Sequence, residues 1–166
     1  MNQSLAQFLN EQQADAATVQ HAVRYLVSEL SNDIPPEVMQ SQLAQAVDDA
    51  APVEEAIAIL GTDSAALLDA NLAVLSALWD DPKHRDSVRD AIAQAKNRLP
   101  IVEVTVIAAC ALYGLYLVTT GGKRREVRKT IKRPDGSWEE SVKIEFADAK
   151  GPLRALGGIL ARFMGE

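Results

Sequence analysis

The residues that could do chemistry in this chain are His21, His84, Cys110 and three acidic pairs, Asp48-Asp49, Glu54-Glu55 and Asp80-Asp81. A zinc site needs about four nitrogen or sulfur donors, and two histidines outside HxxxH or HExxH spacing with one cysteine do not supply them. A calcium loop needs alternating oxygen ligands around a central glycine, which none of the acidic pairs has. His84 beside Asp80 and Asp81 comes nearest to a weak metal site, but Pro82 lies between them, and the stretch reads as a turn and helix cap. A Cys–His nucleophile requires an accessible thiolate, whereas Cys110 lies inside an apolar run and reads as a small buried hydrophobe. His21 falls on the outer flank of its helix and is expected to be solvated. No GxSxG, GxxxxGK or GxGxxG motif is present. Gly121-Gly122 before Lys123-Arg124-Arg125 follows an expected helix rather than preceding one, which is the wrong polarity for a phosphate. The expectation is therefore a non-enzymatic chain with no cofactor, no metal and no small-molecule substrate.

Charge is the stronger signal. Met1–Pro82 carries one basic residue, Arg24, against thirteen acids, a formal charge of −12. Lys83–Glu166 carries sixteen basic residues against ten acids, or +6, and the whole chain is −6. A molecule with an acidic and a basic end has a built-in partner preference that extends to its own copies. The basic candidates are Arg124, Arg125, Arg128, Lys129, Lys132 and Arg133; the acidic ones are Asp48, Asp49, Glu54 and Glu55.

The elements that must position these residues are mostly helical. The chain is long enough for one domain or a domain with an appendage. Hydrophobic residues make up 48% and aromatics 5%, which suits close-packed, alanine-rich helices. Six helices are expected before Pro100. Ser4 caps the first, to about Gln13, and Asp15 caps the second, with Val19, Ala22, Val23, Leu26, Val27 and Leu30 on its inner face. Pro35 or Pro36 opens the third, with Val38, Met39, Leu43, Ala46 and Val47 inward. Pro52 opens the fourth, placing Glu54 and Glu55 in its first turn, and Gly61 ends it. Thr62 or Asp63 caps the fifth, through Leu67, Leu68, Leu72, Leu75, Leu78 and Trp79, and a sixth follows Pro82 with Val88, Ile92 and Ala95 inward.

Ile101–Val118 is nearly all apolar. Its first six residues alternate and are β-branched, as in a strand, and the rest reads as helix. As one helix it would be about 27 Å long, just short of a ~30 Å hydrocarbon core. Val104, Ile107, Cys110, Gly114 and Leu117 belong to either a buried core helix or a membrane helix. Glu103 and the mid-run Tyr113 and Tyr116 speak for the core; the basic cluster that follows, and the small pair Cys110 and Gly114, speak for the membrane.

Residues 123–146 read as a β-hairpin about the turn Asp135-Gly136. That turn would set Arg133 opposite Trp138, Lys132 opposite Glu139, Lys129 opposite Val142 and Val127 opposite Ile144. Its apolar face needs a cover, and the terminal segment, with Leu153, Leu156, Ile159, Leu160 and Phe163 on one side, can supply one.

The fold expected is mainly α: a compact six-helix N-terminal bundle over 1–99, and a C-terminal unit over 100–166 of apolar helix, β-hairpin and terminal amphipathic helix. The leading function is a protein–protein interaction or adaptor module that binds a protein partner or itself through its acidic and basic surfaces, giving a homo-oligomer. A single-pass membrane protein with a cytoplasmic basic hairpin, serving signalling or membrane disruption, is second. Nucleic-acid binding by the hairpin is third, opposed by the net negative charge and by Glu126, Glu139, Glu140 and Glu145. A single cysteine and the absence of a basic–apolar stretch at Met1–Gln13 point to the cytoplasm, with membrane association tied to the second reading.

Overall fold

Helix ends in this protein are written in short polar residues. Ser4 accepts from the Gln7 N–H at 3.1 Å while the Gln7 side chain accepts from the Ser4 N–H at 3.0 Å, a reciprocal cap that starts α1, Leu5–Gln12. Asp15 caps α2, Ala16–Ser31, accepting from the Thr18 N–H at 2.8 Å. Pro36 is the first residue of α3, Pro36–Val47, where its missing N–H costs nothing. Asp49 caps α4, Ala50–Thr62, and Asp63 caps α5, Ser64–Asp80. Pro82 opens α6, Pro82–Asn97, and α7 runs over Val104–Thr120. This computed structural model describes residues 3–97, 103–120, 126–132, 137–145 and 156–159.

The protein is mainly helical. The apolar periodicity of each helix finds its place in a single core, whose fully buried side chains include Leu9, Leu26, Met39, Leu43, Leu60, Leu72, Leu75, Ile92, Leu112 and Leu115. Burying each Leu contributes about 1.5–3 kcal/mol. Two helices are buried nearly all round: α5, and α7 from Ile107 to Leu115. α7 packs against α2, α3, α4 and α5. Gly114 permits the closest of these approaches, since a Cβ there would lie 3.1 Å from both Val27 Cγ2 and Val74 Cγ2. The Tyr113 hydroxyl donates to Gln42 Oε1, tying α7 to α3.

Two extended segments follow, β1 (Glu126–Lys132) and β2 (Trp138–Glu145), paired antiparallel. Val127 lies opposite Ile144, as expected, but past a register shift between Arg128 and Thr130 the partner of Lys132 is Trp138 rather than Glu139. One residue is thereby taken up as a bulge. The expected turn, Asp135-Gly136, lies outside the described residues, as does most of the terminal helix. β1 packs against α5 and β2 against α1. Helices from the first half thus pack on the strands, and the helical turn at Leu156–Ile159 lies beside α4; Leu153, Leu160 and Phe163, also expected to cover the strands, lie outside the described residues.

Several positions depart from expectation. Leu30 is 38% exposed and Val38 39% exposed, and Ala46 is also exposed, each at the end of a helix whose inner face is buried at Leu26, Val27, Met39, Leu43 and Val47. α4 begins two residues before Pro52, so Glu54 and Glu55 lie beyond its first turn, and it runs through Gly61 to Thr62. Val104-Thr105-Val106 is helical despite its β-branched residues, since the helix it begins is held by tertiary packing. His21 is 7% exposed rather than solvated, because α5, α6 and α7 all pack on α2 and cover its flank.

Candidate functional site

The acidic candidates gather at one corner. Asp48 ends α3 in the left-handed region, at φ 58°, and Asp49 follows at once as the cap of α4, its carboxylate accepting from the Ala51 N–H at 3.1 Å. Glu54 and Glu55 stand one turn further along α4. All four are exposed, and Asp48, Glu54 and Glu55 form no ion pair among the described residues. Residues 25–82 contain no Lys or Arg that could neutralise them from nearby in sequence. Glu55 also lines an open groove of ≈ 260 Å³ between α4 (Pro52, Ala56, Ile59) and the turn carrying Leu156, Gly158 and Ile159.

Of the basic candidates, Arg128, Lys129 and Lys132 lie on β1, with Arg128 opposite Lys143. Arg124, Arg125 and Arg133 lie outside the described residues. β1 and β2 are attached to the helical core at one end through Trp138, which is 3% exposed. The Asn10 side chain spans its peptide, Nδ2 donating to the Trp138 carbonyl at 2.8 Å and Oδ1 accepting its N–H at 2.7 Å. The Trp138 indole donates to the Ala14 carbonyl at 3.0 Å. Asn10 thereby satisfies a strand end as a neighbouring strand would.

Within α7, Val104 is 46% exposed at the start of the helix, Ile107, Cys110 and Gly114 are buried, and Leu117 is half-buried. Burial pushes the Cys110 thiol up to about 11, the nearby Arg24 charge only partly opposing it, so a thiolate nucleophile is disfavoured there. Burial also raises the Tyr113 hydroxyl, with Tyr116 adding to the effect. His21 is lowered, first by burial and then by Arg24 one turn along α2. Among the described residues no single helix is long and apolar enough to cross a membrane. Nor, among them, are three or more His, Cys, Asp or Glu side chains gathered in a way that could hold a metal ion. His84 Nε2 and Asp81 Oδ2 are 3.8 Å apart, and Asp81 is occupied in capping α6 through the Lys83 N–H.

A second charged cluster was not anticipated. Arg85 and Arg89 of α6 lie over the aromatic pair Phe8 and Trp79, contributed by α1 and α5. The available signal was the four-residue spacing of the two arginines, which sets both on one face of a helix. The aromatic partners come from other elements, and no local pattern points to them.

No family model matches the chain, and neither a curated protein nor a solved structure is similar to it.

Proposed function

We propose that this chain is a non-enzymatic interaction module that associates with its own copies, the acidic α3–α4 corner of one molecule docking on a basic surface of the next. In this reading the chain is an acidic six-helix bundle over 1–99 and a basic C-terminal unit of apolar helix, hairpin and terminal helix over 100–166, with the complementary basic surface supplied by residues after Pro82. The observation that supports it is the exposed set Asp48, Glu54 and Glu55, without an ion pair among the described residues, on a chain whose basic residues lie almost entirely after residue 82. Such a contact joins two different patches, so it propagates into rings or filaments rather than closing as a two-fold dimer. Complementary charge speeds encounter and fixes orientation, and at rims it is screened over ~8 Å at physiological ionic strength.

Sedimentation of the purified chain at low and then high salt tests this. The expected result is a large species at low salt that falls to the monomer as salt rises. Glu54→Lys combined with Glu55→Lys, both exposed and mid-helix, is expected to abolish the large species without altering the thermal melt. A sedimentation coefficient that is monomeric and indifferent to salt would remove the proposal.

A further inference from the structure

The basic residues of α1–α6 are Arg24 on α2 and Lys83, Arg85, Arg89 and Lys96 on α6, so α6 carries the cationic face of the first ninety-seven residues. Two of them share one indole. The Arg85 Cζ lies 5.3 Å from the Trp79 ring centroid and the Arg89 Cζ 5.2 Å from it. Arg89 is also 6.0 Å from the Phe8 ring, which stacks on Trp79 at 5.2 Å with the planes 22° apart. The platform is fixed: the Trp79 indole donates to the Gln3 carbonyl at 2.9 Å, and Arg85 Nε donates to the Trp79 carbonyl at 3.0 Å. A guanidinium on an aromatic face keeps edge N–H groups free to grip a carboxylate in a bidentate fork. Two cations drawn to one ring repel each other, and the acid paired with them among the described residues relieves this poorly: Asp86 is 3.7 Å from Arg89 with its side chain 92% exposed. An anion held between them relieves it well.

We infer that Arg85 and Arg89, held on Trp79 and Phe8, are the socket that receives the acidic α3–α4 corner of a second copy. The inference rests on the self-association reading above and names the basic surface that completes it. Charge complementarity selects the occupant. The socket offers two oriented guanidiniums, and the Asp48, Glu54 and Glu55 carboxylates are exposed without an ion pair among the described residues. Preorganisation on the rings lowers the side-chain entropy lost on docking, which sets this pair apart from the flexible Lys83 and Lys96 beside it.

The test is sedimentation velocity on the full chain at low salt, with thermal melts to show that each variant is folded. Arg89→Glu, at an exposed position, is expected to weaken assembly at least about tenfold, and the milder Arg89→Gln to weaken it less. Glu54→Lys with Glu55→Lys is expected to do the same alone. Mixing that variant with Arg89→Glu is expected to restore assembly, because each then supplies the charge the other lacks. If the wild type assembles and Arg89→Glu assembles as well, while Arg128→Glu with Lys129→Glu does not, the socket is overturned and β1 takes its place with the self-association reading intact. A wild type that stays monomeric at low salt overturns that reading itself.

Discussion

His21 and Arg24 stand one helical turn apart on α2, each with a buried side-chain nitrogen that lacks a hydrogen-bond partner among the described residues, Nδ1 in His21 and Nε in Arg24. Burial, and then the Arg24 charge, hold the imidazole below its ordinary pKa of 6.5. As the pH falls, the unfolded chain therefore takes up a proton before the folded one can. Stability attributable to His21 is complete above about 6.5, declines as pH drops from there to the lowered folded value, and levels off below it. Denaturant titrations at about pH 7.5 and about pH 5 should show wild type losing more stability on acidification than His21→Gln. Equal losses would show that the imidazole is indifferent to its surroundings. At this scale the sequence was legible where the physics is local. Ser4 and Asp15 were expected as caps, and Asp63 as one of two candidates with Thr62, because a short polar side chain meets a free N–H within three residues of itself. His21 was misplaced because a helical wheel of α2 alone does not show that three other helices close over its flank. The pairing of Arg85 and Arg89 with Phe8 and Trp79 was hidden for the same reason.

Between elements, the close crossing of α7 with α2 and α5 depends on the missing side chain at Gly114. Gly114→Val pushes methyl groups into Val27 and Val74, and overpacking of this kind costs about 1–3 kcal/mol. Chemical denaturation should show that loss, and Val74→Ala in the same chain should recover part of it. The two changes are then coupled, not additive. Strict additivity would place the added methyls somewhere other than against Val74. The small pair Cys110 and Gly114 was noticed in the sequence as a means of close helix contact, and its apolar surroundings were equally consistent with lipid or with core. Length and composition do not separate those environments; the packing of α2, α3, α4 and α5 around Ile107–Leu115 fills the place of either solvent with protein. The stripe positions Leu30, Val38 and Ala46 failed for the converse reason. Periodicity predicts which side of a helix faces inward, but not how far along that side the neighbours extend.

Across the whole molecule, the strands meet the helices where β1 packs on α5 and β2 on α1, and side-chain hydrogen bonds join them at Asn10 and Trp138. Asn10→Ala removes two hydrogen bonds from the part-buried backbone N–H and carbonyl of Trp138, a loss of about 1–3 kcal/mol. Hydrogen exchange at the Trp138 amide should accelerate well beyond that at Leu72 or Leu112 in the core. Unchanged exchange would mean that the other contacts of Trp138, the indole bond to the Ala14 carbonyl among them, secure the strand end without Asn10. The register of β1 on β2 was legible only in its outer half. A turn residue fixes pairing by counting, and the irregularity between Arg128 and Thr130 breaks the count.

Asp63 has one more property of this kind. It closes α4 through its N–H to the Ile59 carbonyl at 2.9 Å and opens α5 through its carboxylate to the Ala66 N–H at 3.0 Å. The axes of the two helices bend there by 109°. With a single residue between them there is no slack in the connection. Any change in the angle between α4 and α5 must pass through the φ and ψ of Asp63. The acidic corner on α4 and the aromatic platform at the far end of α5 thus have their relative placement set by one residue and by the packing of both helices on α7.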